Sequence, residues 1–208
     1  MEQVDKNINL EKKNPEDVKK NIKKYFLVGW EFVQVIIIAA VIVLPIRYFI
    51  FQPFIVKGDS MVPNFHSGDY LIVDEISYRF SNPSRGDVIV FHYPLDESQR
   101  FIKRVIGLPG ETVEVKDGKI TISSQSGNTV LVLNEKSYLP DLLSTNGNNK
   151  ITLKADEYFV MGDNRQFSYD SRSWGVLPKK ELIGRAALRL LPVDKLSYIS
   201  TPIYSVNN

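Results

Sequence analysis

Thr112–Ile122, "TVEVKDGKITI", decides the fold class. Two short runs in which apolar and polar residues alternate are joined by Asp117-Gly118, a pair that favours the two-residue turn of a β-hairpin. The same texture continues outward in both directions. "YLIVDEI" (70–76), "DVIVFHY" (87–93), "RFIKRVIG" (100–107), "TVLVLNE" (129–135), "KITLKADEYFVMGD" (150–163) and "GRAALRLLPV" (184–193) are short apolar or alternating stretches divided by turn residues. Helical periodicity is largely absent, although "PKKELIG" (178–184) has the makings of a single turn. The expected fold is mostly β, an antiparallel sheet. The loop-like "SSQSGN" (123–128) and "STNGNN" (144–149), together with the hairpin, mark residues 112–156 as an excursion from the main sheet.

Upstream the composition changes. Residues 25–46, "YFLVGWEFVQVIIIAAVIVLPI", are apolar apart from Glu31 and Gln34. At ~1.5 Å per residue such a run reaches about 33 Å as a helix, enough to span a bilayer core. One N-terminal transmembrane helix is the expectation, uncleaved because its core is longer than that of a signal peptide and no small-residue cleavage site follows. Residues 1–24 carry seven lysines against five acids, and Lys19, Lys20, Lys23 and Lys24 directly precede the run. The positive-inside bias then keeps 1–24 cytoplasmic and puts 47–208 outside. Tyr48, Phe49, Phe51 and Phe54 crowd the far end, as interfacial aromatics do.

Several function classes drop out. A chain of 208 residues without cysteine has no thiol nucleophile, disulfide or zinc-thiolate site. A net charge of +2 with no basic stripe argues against nucleic acid as a partner. His66 and His92 alone make no metal site, and no cofactor is expected.

The stretch with chemical promise is "KGDSMVPNF" (57–65), in which Ser60 follows Gly-Asp as nucleophilic serines do in several hydrolases. A serine needs a base within hydrogen-bonding reach. His66 or His92, oriented by Asp69, Asp87 or Asp96, would give a triad, but nothing in the spacing favours one. A lysine serves if burial lowers its pKa from ~10.4 toward 7, at a desolvation cost of roughly 4 to 5 kcal/mol. In "RFIKRVIG", strand alternation puts Phe101, Lys103 and Val105 on one face and Arg104 on the other, so the Lys103 amine projects between apolar side chains. The plainer reading of Lys103 is a surface lysine snorkelling from an edge strand. Two other motifs attract bland readings: "RGD" (85–87) sits at a strand entry, and "GLPGE" (107–111) lacks the Gly-Lys-Ser/Thr of a phosphate loop.

"GDSMVPNF" (58–65), "RGDVIVF" (85–91), "FIKRVIGLPGE" (101–111) and "GDNRQFSYDSRSWG" (162–175), in this order behind an apolar anchor, resemble the type I signal peptidases, the bacterial leader peptidases. The resemblance runs from the anchor to about residue 190, and the compact stretch between Glu111 and Gly162 is similar to the Gram-positive form. It implies a β-rich serine protease domain over 47–208 with Ser60 as nucleophile and Lys103 as general base. By position, Ser168 matches the serine whose hydroxyl orients the amine; Asp163, Arg104, Asp170 and Arg172 match bracing charges, and Met61 with Pro63 the turn that presents the nucleophile. The family commonly has Thr-Leu where this chain has Asn64-Phe65. Gly58 stands where some relatives carry a serine that helps bind the oxyanion, which leaves the Ser60 N–H as the main donor. The implied activity is removal of signal peptides from exported preproteins at the outer face of the cytoplasmic membrane, by a monomer partnered by its substrates and the phospholipid membrane. Two rivals share the motifs: a protease dedicated to one class of surface protein, and a catalytically silent scaffold.

Overall fold

In the β-hairpin at residues 111–124, Asp117 (φ +49°) and Gly118 (φ +76°) both take the left-handed conformation that a type I′ turn demands. They join β5 (Glu111–Lys116) to β6 (Lys119–Ser124), with Val115 opposite Ile120 and Val113 opposite Ile122. The computed structural model describes residues 25, 29–43, 51–124, 130–140 and 143–204. The lysine-rich segment 1–24, the ends of the apolar run at 26–28 and 44–46, Tyr48, Phe49 and most of "SSQSGN" lie outside the described residues.

The chain divides into two units, Met1–Ile46 and Arg47–Asn208. Of the first, a helix over 29–43 (α1) is described, its apolar side chains exposed, Ile36 by 66 % and Val41 by 67 %. Among the described residues no helix is long and apolar enough to cross a membrane.

The second unit is mostly antiparallel β. Its main sheet runs β1 (Phe51–Ile55), β2 (Tyr70–Asp74), β11 (Leu182–Leu191), β3 (Val88–Tyr93), β4 (Asp96–Gly107), β9 (Glu157–Met161) and β10 (Leu177–Pro178), with β12 (Ser197–Tyr198) pairing β11. The smaller sheet runs β7 (Val130–Val132), β6, β5, β8 (Asn149–Thr152) and covers the excursion expected from the loop signals. Two four-residue helices, α2 (Ser77–Phe80) and α3 (Ser171–Trp174), and a 3-10 turn at Lys179–Glu181, within "PKKELIG", complete the part that concerns the site.

β3 is buried on both faces, which explains its unbroken apolar run "VIVF". Val88 and Val90 join one core cluster with Met61, Phe65, Leu71 and Ile102, while Ile89 and Phe91 join another with Val105, Tyr158 and Val160. A third cluster lies under the hairpin, where Val113, Val115, Ile120 and Ile122 meet Ile106 and Phe159. β4, twelve residues long, passes all three. One side of β4 pairs β3 through Arg104, whereas β9 covers the other side only from Arg104 to Gly107. Between Ser98 and Lys103 that second edge has no strand partner among the described residues.

Candidate active site

Past the end of β1 the chain turns sharply at residues 59–65. The turn is closed by N–H donors from Val62 to the Asp59 carbonyl (3.2 Å) and from Asn64 and Phe65 to the Met61 carbonyl (3.0 and 2.9 Å), with a cis bond before Pro63. Met61 and Phe65 drive their side chains into the first core cluster, at 0 % and 3 % exposure. With both ends plugged, Ser60 is left half-buried and lines a groove of about 660 Å³ beside Gly58, Phe54, Phe101, Lys103 and Tyr169.

Lys103 approaches from β4. It lies opposite Ile89 in register, between Phe101 and Val105, and is 4 % exposed. Its Nζ donates to Ser60 Oγ at 2.8 Å and to the Ile102 carbonyl at 3.0 Å, and lies 5.2 Å from the Phe101 ring centroid. Burial lowers the amine from 10.5 to about 8, against the opposing attraction of the Asp170 and Asp163 charges. The bland picture of a lysine snorkelling into solvent does not describe this side chain.

The charges expected to brace the site form two buried forks. Arg104 donates from Nε to Asp163 Oδ1 (2.8 Å) and from Nη2 to Oδ2 (2.6 Å), while Nη1 takes the Gly86 carbonyl (2.9 Å). Arg172 donates to both oxygens of Asp170 at 2.8 Å. Asp170 Oδ2 also accepts from the Gly162 N–H (3.0 Å), and Asp170 caps α3 by accepting from the Arg172 N–H. Asp163 and Asp170 are both fully buried, so each fork removes a charge that would otherwise be costly there.

Ser168 behaves differently from its expected part. Its Oγ is buried without a hydrogen-bond partner among the described residues, and the second contact of the Lys103 amine goes to the Ile102 carbonyl instead. The histidines stand elsewhere: neither lines the groove, and His92 Nδ1 is bonded to the Glu97 carbonyl. Asp87 accepts from Tyr78 Oη and the Ser84 N–H, and Asp96 from Ser98 and Gln99. Gly58 lines the groove, its N–H directed to Ser67 Oγ at 3.3 Å.

Four residues with a hand in this geometry were not singled out as site residues from the sequence. Asn164 fastens the serine turn to β9, donating from its N–H to the Ser60 carbonyl and from Nδ2 to the Asp59 carbonyl, both at 3.0 Å. Gly162 is obligatory, because a Cβ there would stand 2.3 Å from the Ser60 carbonyl oxygen and 2.2 Å from Ser168 Oγ. Both sit in the string "GDN" beside Asp163, where a glycine next to an acid inside a motif block was the available signal. Arg165, 1 % exposed, forks onto Glu135 and donates to Thr145 Oγ1 (2.8 Å) and the Gly162 carbonyl (3.2 Å). Glu135 gave no local sign of this role, since the pairing spans 30 positions.

The family "signal peptidase, peptidase S26" matches residues 29–191. A "Signal peptidase I" of Leptolyngbya laminosa is 40 % identical over 183 residues, 83 % of this chain and 84 % of that one. "Signal peptidase I P" of Bacillus subtilis subsp. natto is 33 % identical over 183 residues, 86 % of this chain and 97 % of its own. A crystal structure of a signal peptidase I from Enterococcus faecalis V583 covers 50 % of this chain and 97 % of its own at 32 % identity and TM-score 0.41. The order of the four motif blocks and the match over most of the chain lead to one assignment: the protein belongs to the signal peptidase I family, peptidase S26, and is a hydrolase of peptide bonds.

Proposed function

We propose that this chain is a membrane-anchored endopeptidase that removes signal peptides from secretory preproteins with Ser60 and Lys103 as its dyad. The observation that carries the reading is the 2.8 Å hydrogen bond between the serine hydroxyl and an amine buried to 4 % exposure. The neutral amine takes the Ser60 proton as Oγ attacks the scissile carbonyl, forming the C–O bond. The tetrahedral oxyanion draws on the Ser60 N–H. As the C–N bond breaks, the ammonium returns the proton to the departing amine of the mature protein, and the signal peptide remains as an ester on Ser60. Water then gives a proton to Lys103 and attacks the ester; the ammonium reprotonates Ser60 as the C–O bond breaks. A single chain carries both groups.

The groove fits an extended substrate. A peptide laid along the uncovered edge of β4 would pair main chain to main chain, and Phe54, Ile102 and Phe101 offer shallow apolar walls for the small residues that the family prefers before the cut. The apolar run 25–46 supplies the anchor and the preceding lysines its direction, placing the N-terminus in the cytoplasm and residues 47–208 on the outer side.

Cleavage of a preprotein in detergent by wild type, Ser60→Ala and Lys103→Met tests the dyad. Both variants fall to background while keeping the wild-type circular dichroism spectrum. Near-normal activity in Lys103→Met would overturn the assignment.

A further inference from the structure

Asn64 departs from the threonine that the resembling family commonly carries, and its side chain reaches the Arg104–Asp163 fork behind the groove. Nδ2 donates one hydrogen to Asp163 Oδ2 and the other to the Tyr138 carbonyl, both at 2.8 Å. Asn64 ends the turn that starts just before Ser60, since its own N–H closes that turn on Met61. Asp163 Oδ2 therefore accepts from two directions, Arg104 on β4 and Asn64 on the serine turn. From the β9 side the Asn164 N–H holds the Ser60 carbonyl, so turn and carboxylate are tied to each other twice. The Asn64 carbonyl accepts from Arg189 Nη2, which fixes the main chain behind the amide.

We propose that Asn64 is a positioning residue for the dyad: its amide clamps the Asp163 carboxylate to the turn that carries Ser60, setting both the distance from Ser60 to Lys103 and the negative field at the amine. The inference rests on the dyad reading above. Two carboxylates act on the Lys103 amine, Asp170 and Asp163; Arg172 and Arg104 fork onto them, and Arg165 lies near Asp163. A donor on Oδ2 withdraws part of the carboxylate's negative potential. Removing the donor returns that potential to the amine, favours the ammonium, and moves the acid limb of the pH profile toward higher pH.

The experiment uses the full chain in detergent, a preprotein substrate, and kcat, KM and the pH profile of kcat/KM for Asn64→Leu, Asn64→Ala and Asn64→Thr. In Asn64→Leu, kcat on the alkaline plateau falls about tenfold with KM within about twofold, because the nucleophile turn is no longer held in register. Its acid limb rises by about half a unit, and that of Asn64→Ala, which lacks the donor too, by the same amount. Asn64→Thr, which retains a donor, keeps the wild-type limb. Should Asn64→Leu fail to fold, Asn64→Ala, which adds no bulk, carries the test alone. A limb that stays at the wild-type pH in folded Asn64→Leu or Asn64→Ala overturns the proposal, because a merely structural residue would lower the yield of active enzyme without moving it. Ser60→Ala separates the two failures: activity in that variant sinks the dyad reading, whereas its inactivity beside an unmoved limb sinks only the role of Asn64.

Discussion

Lys103 pays for its place twice, in desolvation and in proton affinity, and both costs are measurable. With the amine at about 8 rather than 10.5, kcat/KM for preprotein cleavage rises with pH and levels off above about 8. Lys103→Arg is inactive at every pH, since a guanidinium keeps its proton. The same shift links to stability. The folded amine gives up its proton at lower pH than the unfolded one, so between about 8 and 10.5 the unfolded chain binds more protons and stability rises with pH. Below about 8 the full penalty stands, about 3 kcal/mol for this shift. Lys103→Met consequently melts at a higher temperature than wild type at pH 7, and the gap narrows by pH 10. Equal melting temperatures at pH 7 in scanning calorimetry would show that the amine is not held in a dry place.

At the level of elements, the turn 59–65 and the start of the β9–α3 connection work as one piece. Gly162→Ala drives a Cβ against the Ser60 carbonyl, which is main chain and cannot swing aside. That variant loses most of its activity, and about 1–3 kcal/mol of stability in chemical denaturation, the usual cost of overpacking. The elements themselves were largely legible: the Asp117-Gly118 hairpin, the apolar run of β3 and the alternation that aims Lys103 inward all follow from local pattern. The partners of Asp163 were less so. Arg104 was matched by resemblance, whereas Asn64 registered only as a departure from pattern, because its hydrogen bond joins residues 99 positions apart. Ser168 was set beside the amine by resemblance alone, and among the described residues no hydrogen bond joins the two, the Nζ donating to the Ile102 carbonyl instead.

Across the whole second unit, the smaller sheet is bound to the site through polar groups rather than apolar packing alone. Glu135, in the segment after β7, receives the buried Arg165, which also holds the carbonyl of Gly162. Breaking that fork with Glu135→Ala leaves a guanidinium of 0 % side-chain exposure without its carboxylate and costs about 3–5 kcal/mol. Removing the 66 % exposed Lys150, which faces Glu114 on the same sheet, changes the denaturation midpoint little, within about 0.5 kcal/mol. A composition-level reading separates the excursion from the main sheet; the long-range ion pair that couples the two is invisible to it. One architectural feature has a consequence beyond this unit. A row of unpaired main-chain donors and acceptors is open to a neighbouring copy, so self-association along Ser98–Lys103 that grows with concentration is the expected outcome in sedimentation. Filling that slot with a tight-binding peptide would keep the preparation dispersed.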